Sequence, residues 1–380
     1  MGRVSRPRTG SLQFYPHSRA QKETPSFRGF ELDSGGKAKA ANFFGFKAGM
    51  IQAGGKDLRK GTPSSGHDIV FAATVIECPP LRVFGIRALG KNPDKNVETV
   101  LLDVTSEKTD RHLLKKQHSF KQKHSKKKKE AIAHKTVTDL EKLKNQIKSI
   151  RLLVHTQPAL TGFGKKKPDV SEIALSGSID DQLAFAKEKL GHEIKVSDVF
   201  EPHTLLDVKA VSKGKGMQGV IKRHNVKIQR HKAKKLRVVG SIGPWHPPTV
   251  MWTVGRPGQM GYNSRTEFNK KILEIGSKGQ AVSPKAGFLH YGAVANDFVL
   301  VAGSVPGPAK RVIALRRAIR PMRENRLKLE SLSFVSTRTE GSASSEEAPR
   351  AMKMEAAKEE KTHHKSVEEE LAEAGKNKSK

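Results

Sequence analysis

Between Asp207 and Glu267 the chain carries thirteen lysines and arginines and not one acidic residue. Acidic residues occupy 38 of 380 positions, so about six would be expected in a segment of this length by simple proportion. No charge within residues 208–266 can neutralise the segment, so its counter-charge must come from outside. Phosphates suit that role, because each lysine or arginine that pairs with one releases condensed counterions. Both tryptophans of the chain, Trp245 and Trp252, lie in the same segment. Flat side chains among cations add a second chemistry, stacking on unpaired bases at roughly 1–3 kcal/mol per base.

The segment has two halves. Residues 222–237, KRHNVKIQRHKAKKLR, are half lysine and arginine, with His224 and His231 between them. Residues 240–262, GSIGPWHPPTVMWTVGRPGQMGY, hold nine glycines or prolines. Pro244, Pro247, Pro248 and Pro257 exclude a helix there, since each lacks a donor and clashes with a preceding carbonyl. So long a stretch without regular structure inside a compact domain signals function or an external anchor. Residues 213–265 are therefore read as an arm ordered by RNA, with Trp245 at its tip between Pro244 and His246. The candidate contacts are Lys213, Lys215, Lys222, Arg223, His224, Lys227, Arg230, His231, Lys232, Lys234, Lys235, Arg237, Trp245, His246, Arg256 and Arg265. Trp252, inside the apolar run TVMWTV, is expected to pack rather than to contact RNA. The histidines read as RNA-facing groups and not as metal ligands. Arg3, Arg6, Arg8 and Arg19 extend the candidates into residues 1–41, a basic N-terminal extension with Phe14 and Tyr15 inserted.

Enzymatic chemistry finds no residues to stand on. GKGMQG at 214–219 fits G-x-G-x-x-G, but a dinucleotide site needs an apolar helix next and an acid about 20 residues on. A basic run and Lys235 to Gly240 stand there instead. His192–Glu193 lacks the second histidine of a zinc protease helix, and neither a nucleophile elbow nor a phosphate loop is present. No cofactor, metal or small-molecule substrate is expected. A free DNA-binding protein would need a groove-reading helix or a zinc finger, and neither is visible.

The whole chain points the same way. Its formal charge is +33 over 380 residues. Residues 340–380 carry ten glutamates against eight lysines or arginines, a net of −2, which leaves +35 on residues 1–339. Self-repulsion of that size opposes compaction unless a polyanion compensates it. The lone cysteine, Cys78, rules out disulfide frameworks and cysteine-rich zinc sites. No apolar run is long enough for a membrane span. The N-terminus, MGRVSRPRTGS, has basic residues but no apolar stretch, so a soluble intracellular chain without a secretory leader is expected.

The elements that must carry the arm follow from hydrophobic patterning. Strands are expected at 42–51, 68–78 (DIVFAATVIEC), in LRVFGIRAL after Pro79–Pro80, at 205–211, at 297–303 and in RVIALRRAIR. Thr138 with Glu141 predicts a capped helix through Leu140, Leu143 and Ile147. Ser178 with Asp181 predicts a second, through Leu183, Ala186 and Leu190, closed by Gly191. The fold class is mainly β, with a body at 42–105 and 200–335 interrupted by a helical insertion at 106–199. Residues 111–129, with nine lysines or arginines and no acid, read as a basic insertion, and 336–380 as a disordered charged tail.

Six stretches in order carry a family resemblance: SRPRTGSLQFYPHSRA (5–20), GFKAGM (45–50), VSKGKGMQGVIKR (211–223), GSIGPWHP (240–247), GRPGQMGYNSRTEFNKKILEIG (255–276) and GSVPGPAKR (303–311). Over about residues 3–335 the chain resembles the universal large-subunit ribosomal protein number three, of archaeal and eukaryotic type. The resemblance implies a six-stranded β-barrel of the translation-protein kind, interrupted by an α/β insertion at 106–199 and with long basic extensions. It also implies binding to large-subunit ribosomal RNA and neighbouring ribosomal proteins, a place in the cytoplasmic large subunit, and a role early in its assembly. The family's arm tip, matched by Trp245, implies proximity to the peptidyl transferase centre, and its basic flank matches Lys222 to Arg237. Gln259 stands at the glutamine that bacterial members methylate, and is added to the candidate contacts. Ala233 stands where some eukaryotic members carry a histidine, so no modification is carried over there. The 111–129 block and the tail beyond 340 match no family motif and receive no role.

Overall fold

The computed structural model of the chain describes residues 11–30, 38–59, 61–91, 98–106, 110–116, 137–233, 235–277 and 279–322, with a last strand at 333–335. Arg3, Arg6, Arg8, Lys234, the lysine run at 126–129 and the acidic tail lie outside the described residues.

Two sheets organise the body. The larger contains β1 (Asn42–Lys56), β2 (Asp68–Glu77), β8 (Leu205–Val211), β11 (Ser264–Gly276), β12 (Phe298–Ala302), β13 (Val312–Arg317) and β14 (Ser333–Val335). Its pairing runs β13–β8–β11–β12–β2–β1, and β13 also pairs with β1, so the path returns to its start. Every pairing is antiparallel. In β1 both faces are covered at Phe43 and Phe44, which explains a nearly continuous apolar run where a half-solvated strand would alternate.

The smaller sheet holds β3 (Leu81–Lys91), β4 (Glu98–Thr105), β5 (Ile147–His155), β6 (Val170–Ala174) and β7 (Glu193–Ile194). Its short helices are α1 (Arg111–Leu114) and α2 (Val137–Lys142), and a longer one is α3 (Ile179–Lys189). The second sheet thus begins at Leu81, directly after Pro79–Pro80, and not after residue 105 as the sequence suggests. LRVFGIRAL reads as a strand either way, and its alternation carries no information about which partner it takes. The first predicted helix is also shorter than expected, because Ile147 opens β5. The second matches: Ser178 accepts from the Asp181 amide at the N-cap, and Gly191 takes φ +83° after the last turn.

One apolar core unites the sheets, with Phe43, Ile76 and Leu315 from the first packed in the same cluster as Leu152 and Ile173 from the second and Leu183 from α3. Buried Asn42 ties them by hydrogen bonds: its side chain donates to the Glu172 carbonyl and accepts from the Ala174 amide, each at 3.1 Å.

A buried carboxylate fixes the loop entering β12. Glu77, fully enclosed, accepts from the amides of Ala295 and Asn296 (both 3.0 Å), from the Asn296 side chain (2.8 Å), and from the Tyr291 hydroxyl. Burial and the adjacent carboxylate push the Tyr291 phenol far above its ordinary range, so it stays a donor. Glu77→Gln turns an amide group toward backbone donors and removes the charge that strengthens these bonds. The expected loss is about 2 kcal/mol of stability, read as a lower urea midpoint by circular dichroism; an unchanged midpoint would contradict this role.

Candidate nucleic-acid interface

The arm is an excursion of the β8–β11 hairpin. Val211 pairs with Ser264 at the end of the regular ladder. The chain then continues zipped as Ser212 donates to Asn263, Lys215 to Met260 and Met260 to Gly216. A two-residue ladder follows, β9 (Met217–Gln218) against β10 (Gly258–Gln259). The close approach requires glycine at 261: its φ is +71°, and a Cβ there would sit 2.1 Å from the Lys213 carbonyl. Past this stem stands α4 (Val220–His224), stopped by Asn225 in the left-handed region at φ 53°.

The arm exposes most of the cations it carries. Lys213, Lys215, Lys222, Lys227, Arg230, His231, Lys232, Lys235, Arg237, His246 and Arg256 are all exposed, and Trp245 is 88% exposed. Among the described residues, no ion pair involves any lysine or arginine of 208–266, whereas the body pairs its cations repeatedly. The acids that bracket the segment are themselves engaged, Asp207 with Arg316 at 3.0 Å and Glu267 with Lys270 at 2.7 Å. The arm's positive charge therefore has no internal compensation.

Four candidates behave differently from the rest. His224 is buried (4% exposed) and its ring stacks near His17, with centroids 6.2 Å apart. Arg223 is half-buried and bridges the stem, donating to the carbonyls of Gln259 (3.1 Å) and Arg256 (2.8 Å). Gln259 turns back onto the carbonyls of Met260 and Gly261. Arg265, in β11, places its guanidinium 4.5 Å from the Phe14 ring centroid. These side chains brace the arm's base in this conformation. Periodicity missed that role because the partners of His224 and Arg265 lie in the N-terminal segment, and Arg223 and Gln259 bond to backbone carbonyls that no side-chain pattern marks.

Trp252 also departs from expectation. It does not pack into the body: it is 62% exposed and meets Tyr15 edge-on at 5.5 Å. Pro247–Pro248 on one side and Gly255 to Pro257 on the other prevent its apolar run from extending as a core strand.

The N-terminal segment supplies the other half of the base. Tyr15 stacks on His17 at 4.2 Å, and the Ala20 amide donates to the Tyr262 carbonyl at 2.8 Å. Further along, Arg316 lies over the Phe27 ring at 4.4 Å and donates to the Gly29 carbonyl, while Lys209 donates to the Ser26 carbonyl at 2.6 Å. Burial lowers the Lys209 ammonium, with Arg28 and Arg316 adding to the effect. Arg19 remains exposed. Phe14 and Tyr15, set in a basic run, were the visible signal of this docking.

Exposure of the arm tip has a direct optical test. With Trp252→Phe, Trp245 is the chain's one tryptophan and should emit as hydrated indole, readily quenched by acrylamide. Blue-shifted, shielded emission would place the tip against the body instead.

Among the described residues there is no group of three or more metal-ligating side chains, and no helix is long and apolar enough to cross a membrane. The chain is similar over most of its length to known proteins. The large ribosomal subunit protein uL3 of Methanocaldococcus jannaschii is 44% identical over 338 residues, covering 88% of this chain and 97% of the relative. Its counterparts in Methanobrevibacter smithii (40% over 345 residues, 89% and 99%) and Archaeoglobus fulgidus (42% over 325 residues, 83% and 92%) are similar over nearly their whole length. The family model described as Ribosomal protein L3 matches residues 1–341, and the chain belongs to that family.

Proposed function

We propose that this chain, a structural protein of the large ribosomal subunit and not an enzyme, binds large-subunit ribosomal RNA chiefly through the arm at 213–265 and the basic segment at 1–41. The observation that carries the reading is the absence of any internal counter-charge in the arm, together with the exposure of its cations. Folded RNA supplies that counter-charge and offers unpaired bases to stack on Trp245. Six such phosphate contacts would cost about a thousandfold in affinity between 50 and 200 mM salt.

In this reading the body is a platform. The ring of pairings through β1, β2, β12, β11, β8 and β13 is a closed six-stranded barrel, supported by the double pairing of β13. The second sheet is its insertion, and the arm is a drawn-out hairpin of two barrel strands. The arm carries Trp245 toward the peptidyl transferase centre, neighbouring ribosomal proteins contact the body, and docking of the arm supports early subunit assembly.

In cells, the chain should sediment with large subunits through high-salt sucrose gradients; its absence from them would overturn the reading. Trp245→Ala, at a position 88% exposed, should leave the body folded while slowing peptidyl transfer or aminoacyl-tRNA accommodation. Unchanged translation in that variant would remove the tip from the mechanism.

A further inference from the structure

Away from the arm, residues 142–168 and residues 275–296 are also free of acids. Their loops are packed together at the junction of the two sheets. Phe163, buried, meets Phe46 edge-on and Tyr291 at a tilt, both at 5.2 Å. Asn296 donates to the Leu160 carbonyl at 3.0 Å, and the same asparagine is held by buried Glu77. The second loop closes on itself, Phe288 and Gly292 exchanging backbone bonds at 2.9 Å. Both loops are therefore fastened from beneath by aromatic packing and a buried carboxylate.

What they hold outward is positive. Lys165 is matched by Asp169 at 2.5 Å, but Lys166, Lys167 and Lys285 are exposed and, among the described residues, form no ion pair. His290 and Leu289, the latter 74% exposed, stand at the turn of the second loop. A merely solvated lysine surface needs no clamp. Cations held on rigid loops lose less entropy on binding, as preorganised recognition requires. Two exposed leucines, Leu160 and Leu289, are too few for the apolar centre of a protein interface, and the loops contain no acid to meet a basic partner.

We propose that the clamped loops at 158–168 and 284–296 form a second, preorganised contact for RNA phosphates, with Lys166, Lys167 and Lys285 as the pairing cations. The inference rests on the RNA-binding reading above but names a surface on the body, separate from the arm. The test uses the full chain and a transcript of large-subunit ribosomal RNA, with affinity measured across a salt series. The triple variant Lys166→Gln, Lys167→Gln, Lys285→Gln should bind more weakly, with a log–log salt slope shallower by about two. A parallel arm variant, Lys222→Gln, Lys227→Gln, Lys232→Gln, separates the two claims. If the arm variant weakens and the loop variant does not, the loop surface is overturned and the arm stands. If neither weakens, both fail. Independently of any variant, RNA should protect Lys166, Lys167 and Lys285 of the unaltered chain from acylation. Full labelling there, with Lys222 and Lys227 protected, would overturn the proposal, as would capture of these loops by a protein partner alone.

Discussion

Charge compensation divides this molecule. In the body, several cations are answered locally: Arg87 by Asp103 and Glu172, Arg151 by Glu98 and Glu172, and buried Arg316 by Asp207. In the arm they are not, although two unit charges about 8 Å apart in water still repel by roughly 0.5 kcal/mol before salt screens them. Twelve cations between residues 213 and 265 without an acid make that cost systematic, and only an external polyanion removes it. The proline- and glycine-rich tip follows from the same constraint. Such a chain cannot bury its own backbone in regular structure, so it must be held by what it enters.

The fold meets this demand by anchoring the arm at its root and leaving its far end exposed. The stem continues the β8–β11 ladder, so the arm leaves the body along a direction set by paired strands. The N-terminal segment then braces the stem through Tyr15, His17 and Phe14, and is itself pinned to the body by Arg316 and Lys209. Exposure thus increases outward from the paired strands β8 and β11 to Trp245. The side chains nearest the body, Arg223, His224, Gln259 and Arg265, are used for bracing, and the outer cations remain for a ligand.

Much of this was legible locally. The strands near 42, 68, 205, 297 and 312 announced themselves by β-branched runs, and Ser178, Asp181 and Gly191 marked both ends of α3. The acid-free arm was visible in composition alone. What patterning could not supply was pairing at a distance. The run after Pro79–Pro80 reads as a strand in either sheet, and only its register with β5 and β4 decides its membership. Glu77 looked like the polar end of a strand, yet its donors lie more than 200 residues away. His224 resembled its exposed neighbours until His17 was folded against it. Trp252 was assigned to packing by its apolar neighbours, without weighing the prolines that keep those neighbours out of the core.

The most direct test compares limited proteolysis of the full chain with and without a large-subunit ribosomal RNA transcript. Cleavage within residues 213–265 should be fast in the unbound chain and strongly suppressed by the transcript, while the body resists in both conditions. Equal resistance of arm and body without RNA, or cleavage that the transcript fails to suppress, would contradict the claim that a polynucleotide supplies the arm's missing charge.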